Sequence, residues 1–325
     1  MEEKKQNHFL RNSAPDFLES EIFSELLVYE LLGVPVYKYP NLEYTLCPNK
    51  RIGNILKSIE RTKTKMGVIV RLIALAGVTP ALWLLLTRGI SSGLSGGTMD
   101  IIYRVGIPKK VFGLLDNIDI AVGSYQRRFQ IEEVLIQQIR TKNYEQIITI
   151  AGGSGLIPIE AIYQSQKRMR LINIDKSDKA LRKMKNNIAK VNDQIQLIYP
   201  VYITEDISKI ANITPISGSK TIVECTGYIE YLDFDDKTIF VKRLSEILDK
   251  EDVLILTALT QNQQQLLFEK IGFKKLFPIK IEELILLLQE NHLHVHKAFL
   301  TPNDTYATII ITKYHDEEVK LSLAT

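Results

Sequence analysis

IITIAGGSG, residues 147–155, is a short apolar run that breaks into a Gly/Ser turn. A helix is expected directly after it, from about Ile157-Pro158, because proline is tolerated in the first turn, where its missing N–H is not needed. Ala151 leads the turn. Gly152, Gly153 and Gly155 permit tight backbone geometry and close approach of a ligand. The open N-terminus of the following helix suits a nucleoside with an anionic or amino-acid tail. A plain tight turn also satisfies this pattern, so the neighbouring segments must decide.

Downstream, short β-rich runs alternate with helical stretches. The runs are RLINI (170–174), IQLIY (195–199), TIV (221–223), VLIL (253–256), FKKLF (273–277) and ATIIIT (307–312). Helices are expected between them at 157–166, 178–191, 238–248, 263–271 and 281–291. Alternation of this kind predicts an α/β fold with a mostly parallel sheet covered on both faces.

The ends of the runs carry acidic residues. LINI leads into Asp175, about twenty residues beyond the glycines, where nucleotide-binding α/β folds place a carboxylate for two ribose hydroxyls. Lys176 adjoins it. Asp175 is equally placed to cap the next helix, a role open to Ser177 and Asp178 as well. After the third run, Asp206 is a candidate for an adenine amino group with Ile207 against the ring; a helix cap by Thr204 or Asp206 is the plainer reading. The fourth run opens into TIVECTGYIEYLDFDD (221–236), a polar turn at the switch point of the expected sheet. Glu224, Tyr228, Glu230 and Tyr231 are candidates to face a reacting centre, the tyrosines as positioning groups, although tyrosines there also serve as core filler.

IITIAGGSG, LINID, TEDI and ECTGYIEYLD, in this order and spacing, resemble the successive cofactor motifs of class I S-adenosylmethionine (SAM)-dependent methyltransferases. The resemblance covers about residues 144–313. It implies a Rossmann-like seven-stranded mixed sheet with a reversed final strand (ATIIIT), SAM as cofactor, and methyl transfer by in-line displacement; the apolar segments upstream point to a small or partly hydrophobic acceptor molecule. Residues 98–128 resemble the entry region of a bacterial methyltransferase family with an N-terminal helical extension, which implies that Tyr125 and Arg128 approach the methionine carboxylate of SAM. Two positions depart from the family. Thr149 stands where the first strand usually carries an acid, and Ala151 replaces the first glycine of the turn. The SAM amine then needs other acceptors, such as the backbone or Glu224. The departures leave open attack on the aminocarboxypropyl arm of SAM, including cyclisation by its own amine with release of methylthioadenosine, and a non-catalytic SAM-binding module. A dinucleotide oxidoreductase fits less well, since Pro158 stands at the third glycine of GxGxxG.

Upstream, residues 1–142 read as an all-α unit ahead of a SAM-binding unit at 143–325. Asp16–Leu32 carries apolar residues at helical intervals and stops at Gly33-Val34-Pro35; further helices are expected at 50–62 and 129–141. The apolar segment 66–86 contains Arg71 and is broken by Pro80, so it reads as two buried helices rather than a membrane span, and 89–97 (GISSGLSGG) as a connector. These helices are expected to form a lid and substrate wall.

Composition supports a globular chain: 45% of its 325 residues are hydrophobic and 24% charged, enough to bury a full core. A net charge of +3, with both signs interspersed, gives no nucleic-acid footprint, and the basic cluster 179–190 reads as a solvated helix face. Cys47 and Cys225 form neither a disulfide framework nor a zinc spacing, and no metal is expected. The polar N-terminus lacks the apolar core of a secretory signal, so a cytoplasmic protein is expected.

Overall fold

The computed structural model describes residues 26–38, 50–78, 102–103, 115–191, 197–203, 219–261, 263–270 and 275–313. The alternating pattern beyond residue 144 produces seven strands: β3 (Gln146–Ile150), β4 (Met169–Ile174), β5 (Leu197–Ile203), β6 (Thr221–Cys225), β7 (Val253–Leu259), β8 (Leu293–Leu300) and β9 (Tyr306–Lys313). Two more, β1 (Leu26–Leu31) and β2 (Val34–Lys38), join the same sheet in the order β1-β2-β8-β9-β7-β6-β3-β4-β5. Strands β3 to β7 pair parallel with their neighbours, and β9 runs antiparallel to both β7 and β8, as the reversed final strand requires. The switch point lies between β3 and β6.

Helices cover both faces. On one lie α3 (Asp119–Thr141), α4 (Leu156–Ser165) and α5 (Asp178–Val191), packed with α1 (Lys50–Arg61) and α7 (Gln265–Lys270) on a core that includes Ile131, Leu135, Ile147, Leu171 and Ile255. On the other, α6 (Phe234–Ile247) and α8 (Ile281–Glu290) bury Val241, Leu244, Leu284 and Leu288 against Ile148, Val223 and Leu254. The two sets alternate along β3 and β7, as strands buried on both faces must.

Three expectations are corrected. The N-terminal portion is not all-α. Leu26–Leu31 pairs with Val34–Lys38 through a two-residue turn in which Leu32 and Gly33 both take positive φ (52° and 76°), the primed hairpin geometry that matches strand twist. Gly33 thus closes a hairpin and does not end a helix. β2 then lies parallel to β8, with Val36 opposite Ala298, so the sheet has nine strands among the described residues. Second, the sixth strand of the core is Leu293–Leu300 and not 273–277; residues 275–280 run as a connection without a ladder, holding single hydrogen bonds from Phe277 N to Glu230 O and Ile279 N to Leu259 O. Third, α2 (Lys65–Val78) is not a buried helix throughout: Val68 is buried, while Met66, Ile69 and Val70 are exposed. It packs one side on α1, where the Arg71 Nε donates to Ser58 Oγ at 3.1 Å. Among the described residues no helix is long and apolar enough to cross a membrane. The connector at 89–97, the apolar stretch past Val78, and Asp206 and Ile207 lie outside the described residues.

Candidate functional site

The turn after β3 is fixed mainly by the neighbouring strand β4. Ala151 N donates to Ile174 O at 2.8 Å and Gly155 N to Gly152 O at 2.9 Å. Ala151, Gly153 and Gly155 all lie at positive φ (55°, 56° and 66°). For Ala151 this region is unfavourable by about 1–2 kcal/mol, and the surrounding bonds hold it there. Two asparagines pin the turn carbonyls: Asn173 Nδ2 reaches Gly153 O and Asn187 Nδ2 reaches Ser154 O, each at 3.1 Å.

Asp175 ends β4 beside this turn. Its Oδ2 accepts from Gly153 N at 3.0 Å and its Oδ1 from Ser177 N at 2.8 Å. The glycine turn and the second-strand carboxylate are therefore in direct contact, and the bond to Ser177 is also the local cap. Lys176 beside it is exposed.

Below the turn runs a buried polar row. Thr149 pairs in register with Asn173 on one side and Glu224 on the other, so the three side chains share one face of the sheet. Thr149 Oγ1 donates to Glu224 Oε2. Glu224 Oε1 and Asn173 Oδ1 are buried without a hydrogen-bond partner. A carboxylate thus lies on β6 at the level of Thr149. Gly152 is the lid of this row: a Cβ on it would fall 2.4 Å from Thr149 Oγ1 and 2.6 Å from Asn173 Oδ1.

Burial pushes the Glu224 carboxyl up from 4.5 to about 7, against the opposing pull of the Thr149 hydroxyl and Arg127. Between those values the folded chain holds a proton that the unfolded chain has released. Stability contributed at this group is therefore lost as pH rises through the window, by about 3 kcal/mol in all. Glu132, raised to about 7 mainly by burial, acts with the same sign. Glu224→Gln is expected to flatten the difference in urea midpoint between pH 5 and pH 8 without removing it; an unchanged difference would exclude Glu224 as a contributor.

Helix α3 brings the site a guanidinium, and it is that of Arg127. This side chain is 1% exposed, lies 3.3 Å (Nη1) from Glu230 Oε2 and holds its guanidinium carbon 4.2 Å from the Tyr306 ring centroid. Burial disfavours its charge, but Tyr103, Glu230 and Tyr306 more than offset this and hold it charged. Burial pushes the Glu230 carboxyl upward, with Arg127 pulling it back. One residue on, Arg128 is engaged elsewhere, with Nε 2.7 Å from Glu132 Oε1 and Nη1 3.2 Å from Tyr103 O, and Tyr125 packs edge-on to Phe129.

The two tyrosines after β6 diverge. Tyr228 packs edge-on to Phe240 on the α6 side of the sheet, while Tyr231 packs on the α3 side. The structure thus gathers Ala151, Gly152, Gly153, Gly155, Asp175 and Glu224 at one end of the sheet and divides Tyr228 and Tyr231 between its two faces. Asn173, Asn187 and Arg127 are site residues without a signal in the sequence motifs; Thr149 drew attention only as a departure.

No protein-family model and no curated protein matches the sequence. Solved structures do. A possible exported protein from Bordetella parapertussis superposes with a TM-score of 0.57 at 14% identity, covering 82% of this chain and 96% of its own. A SAM-dependent methyltransferase from Clostridium acetobutylicum gives 0.43 at 12% identity over 58% of this chain and 92% of that one. The 1,6-didemethyltoxoflavin-N1-methyltransferase of Burkholderia thailandensis gives 0.44 at 10% identity over 58% and 78%. The likeness to the Bordetella structure establishes a shared Rossmann-like α/β fold.

Proposed function

We propose that this chain is a SAM-dependent methyltransferase acting on a small molecule. The observation that carries the reading is the bond from Gly153 N to Asp175, which unites the ligand-approach turn with a ribose-type carboxylate. The residues present fit the group. Asp175 offers two oxygens to two ribose hydroxyls, the turn that carries Gly153 brings bare backbone up to them, and the partnerless Glu224 Oε1 is an acceptor for an ammonium. Adenine is assigned to Asp206 and Ile207.

SAM, when bound, supplies an electrophilic methyl group on a sulfonium. The chain's part is to hold the acceptor in line with it and to exclude water. The buried polar row and the two packed faces keep this end of the sheet rigid, and the N-terminal helices serve as the wall against which the acceptor is held.

Asp175→Ala is expected to weaken SAM binding by about tenfold or more, because charge-assisted hydrogen bonds contribute about 1.5–3 kcal/mol. Calorimetry giving wild-type affinity in a folded variant would remove the ribose assignment. Mass spectrometry of the nucleoside product after incubation with SAM and candidate acceptors is expected to show S-adenosylhomocysteine. Methylthioadenosine as the product would replace methyl transfer by attack on the aminocarboxypropyl arm.

A further inference from the structure

Helix α2 presents apolar residues to solvent. Thr64 fixes where the helix starts: its Oγ1 accepts from Gly67 N at 3.2 Å and its carbonyl oxygen from Val68 N at 3.1 Å. That start sets the faces. Val68 is buried, and Arg71 turns inward to Ser58 on α1. Met66, Ile69 and Val70, spaced i, i+3 and i+4, form one stripe on the opposite side and are 68%, 48% and 58% exposed. A surface helix ordinarily shows the reverse arrangement, and a contiguous apolar group with a polar rim marks a contact surface. Here the rim is basic. Arg61, Lys63 and Lys65 lead into the stripe and are all exposed. Arg71 is not part of the rim, since its guanidinium is held by Ser58 Oγ and Gly67 O. Between Glu60 and Asp100 the sequence contains no acidic residue, whereas the chain as a whole intersperses the two signs.

We infer that the exposed stripe of α2 docks on the surface of a bilayer rich in anionic lipid. Charge and layering select this occupant. Such a bilayer puts negative headgroups above hydrocarbon. Arg61, Lys63 and Lys65 meet the headgroups while Met66, Ile69 and Val70 enter the acyl boundary, the arrangement of an interfacial helix lying in the membrane plane. Long basic side chains beside the stripe reach back to the headgroups as the apolar residues go deeper. A second copy of the chain is disfavoured, because a symmetric contact through this face would set two basic rims against each other. Three apolar side chains attach only weakly by themselves, so docking is reversible and depends on the cations. It needs no SAM and leaves the sheet untouched.

Co-sedimentation of the full chain with large vesicles tests this. One set of vesicles is phosphatidylcholine alone, and the other an equal mixture of phosphatidylcholine and phosphatidylglycerol. Partition onto the mixed vesicles is expected to be about tenfold or more stronger than onto phosphatidylcholine, and to fall as salt screens the headgroups. Two double variants divide the contributions. Ile69→Ser with Val70→Ser removes most of the stripe and keeps the cations; Lys63→Gln with Lys65→Gln removes two cations and keeps the stripe. All of these positions are exposed, so the fold is expected to survive, which circular dichroism and the urea midpoint check. Each double variant is expected to weaken partition onto the mixed vesicles by about tenfold or more. No sedimentation with the mixed vesicles, equal sedimentation with both kinds, or wild-type partition in either double variant overturns the inference. Size-exclusion chromatography without lipid covers the rival occupant. A dimer that Ile69→Ser with Val70→Ser disperses, in a chain that binds no vesicles, assigns the stripe to a second copy and overturns docking on lipid.

Discussion

Arg127→Met is expected to lower the stability of the chain by about 3–5 kcal/mol, the cost of removing one partner from a buried ion pair. Glu230 would keep its burial and lose the guanidinium 3.3 Å away. Burial already pushes its carboxyl upward with Arg127 in place, and loss of the guanidinium would push it further in the same direction. The Tyr306 ring would also lose a cation 4.2 Å from its centroid. Methionine fills much of the vacated volume, so the loss is chiefly electrostatic. The double variant Arg127→Met, Glu230→Leu is therefore expected to recover most of the stability, since a buried pair replaced on both sides by apolar groups is often neutral. Urea unfolding of the single and double variants closes the cycle. A loss below about 1 kcal/mol in the single variant would show that Glu230 is not dependent on Arg127.

Gly152→Ala is expected to be the more damaging change to ligand binding. Its Cβ would approach Thr149 Oγ1 to 2.4 Å, Asn173 Oδ1 to 2.6 Å and Thr149 Cγ2 to 2.7 Å, all closer than carbon atoms accept. None of these neighbours yields easily. Thr149 is β-branched and bonded to Glu224, and Asn173 holds both Gly153 O and Met184 Sδ. The turn itself must lift. Overpacking of this kind costs about 1–3 kcal/mol of stability. Lifting the turn also breaks the contact between Gly153 and Asp175, so SAM affinity is expected to fall by about tenfold or more, as in Asp175→Ala. Thr149→Ala in the same chain removes two of the three clashing atoms and is expected to restore part of the stability. Full stability and affinity in Gly152→Ala alone would show that the turn tolerates displacement.

The C-terminal half was legible because its strands are short apolar runs separated by helices whose spacing admits one kind of sheet. α5 falls on the expected residues, and β3, β4, β6, β7 and β9 lie within a few residues of theirs. β8 escaped notice because LHVHKAFL mixes histidines and a lysine into its alternation; it is held by the β9 ladder and not by local preference. The same competition undid the expected N-terminal helix, where Leu26–Leu31 has helical spacing yet pairs as a strand. At the site, the glycine turn and Asp175 announce themselves because both need particular residue types. Arg127 does not. Helix α3 is buried on nearly every side, so no apolar stripe in its sequence tells which of two adjacent arginines meets the sheet.

The hairpin joins Val36–Lys38 to Ala298–Leu300 of β8 in one ladder, although more than 250 residues separate them in sequence. Any fragment beginning near residue 143 would lose that cover and present the bare N–H and C=O groups of Ala298–Leu300 to other copies of itself. Such a fragment is expected to self-associate at concentrations where the full chain does not, a difference that size-exclusion chromatography would register. Interdependence of this kind would make the early segment a guard against self-association.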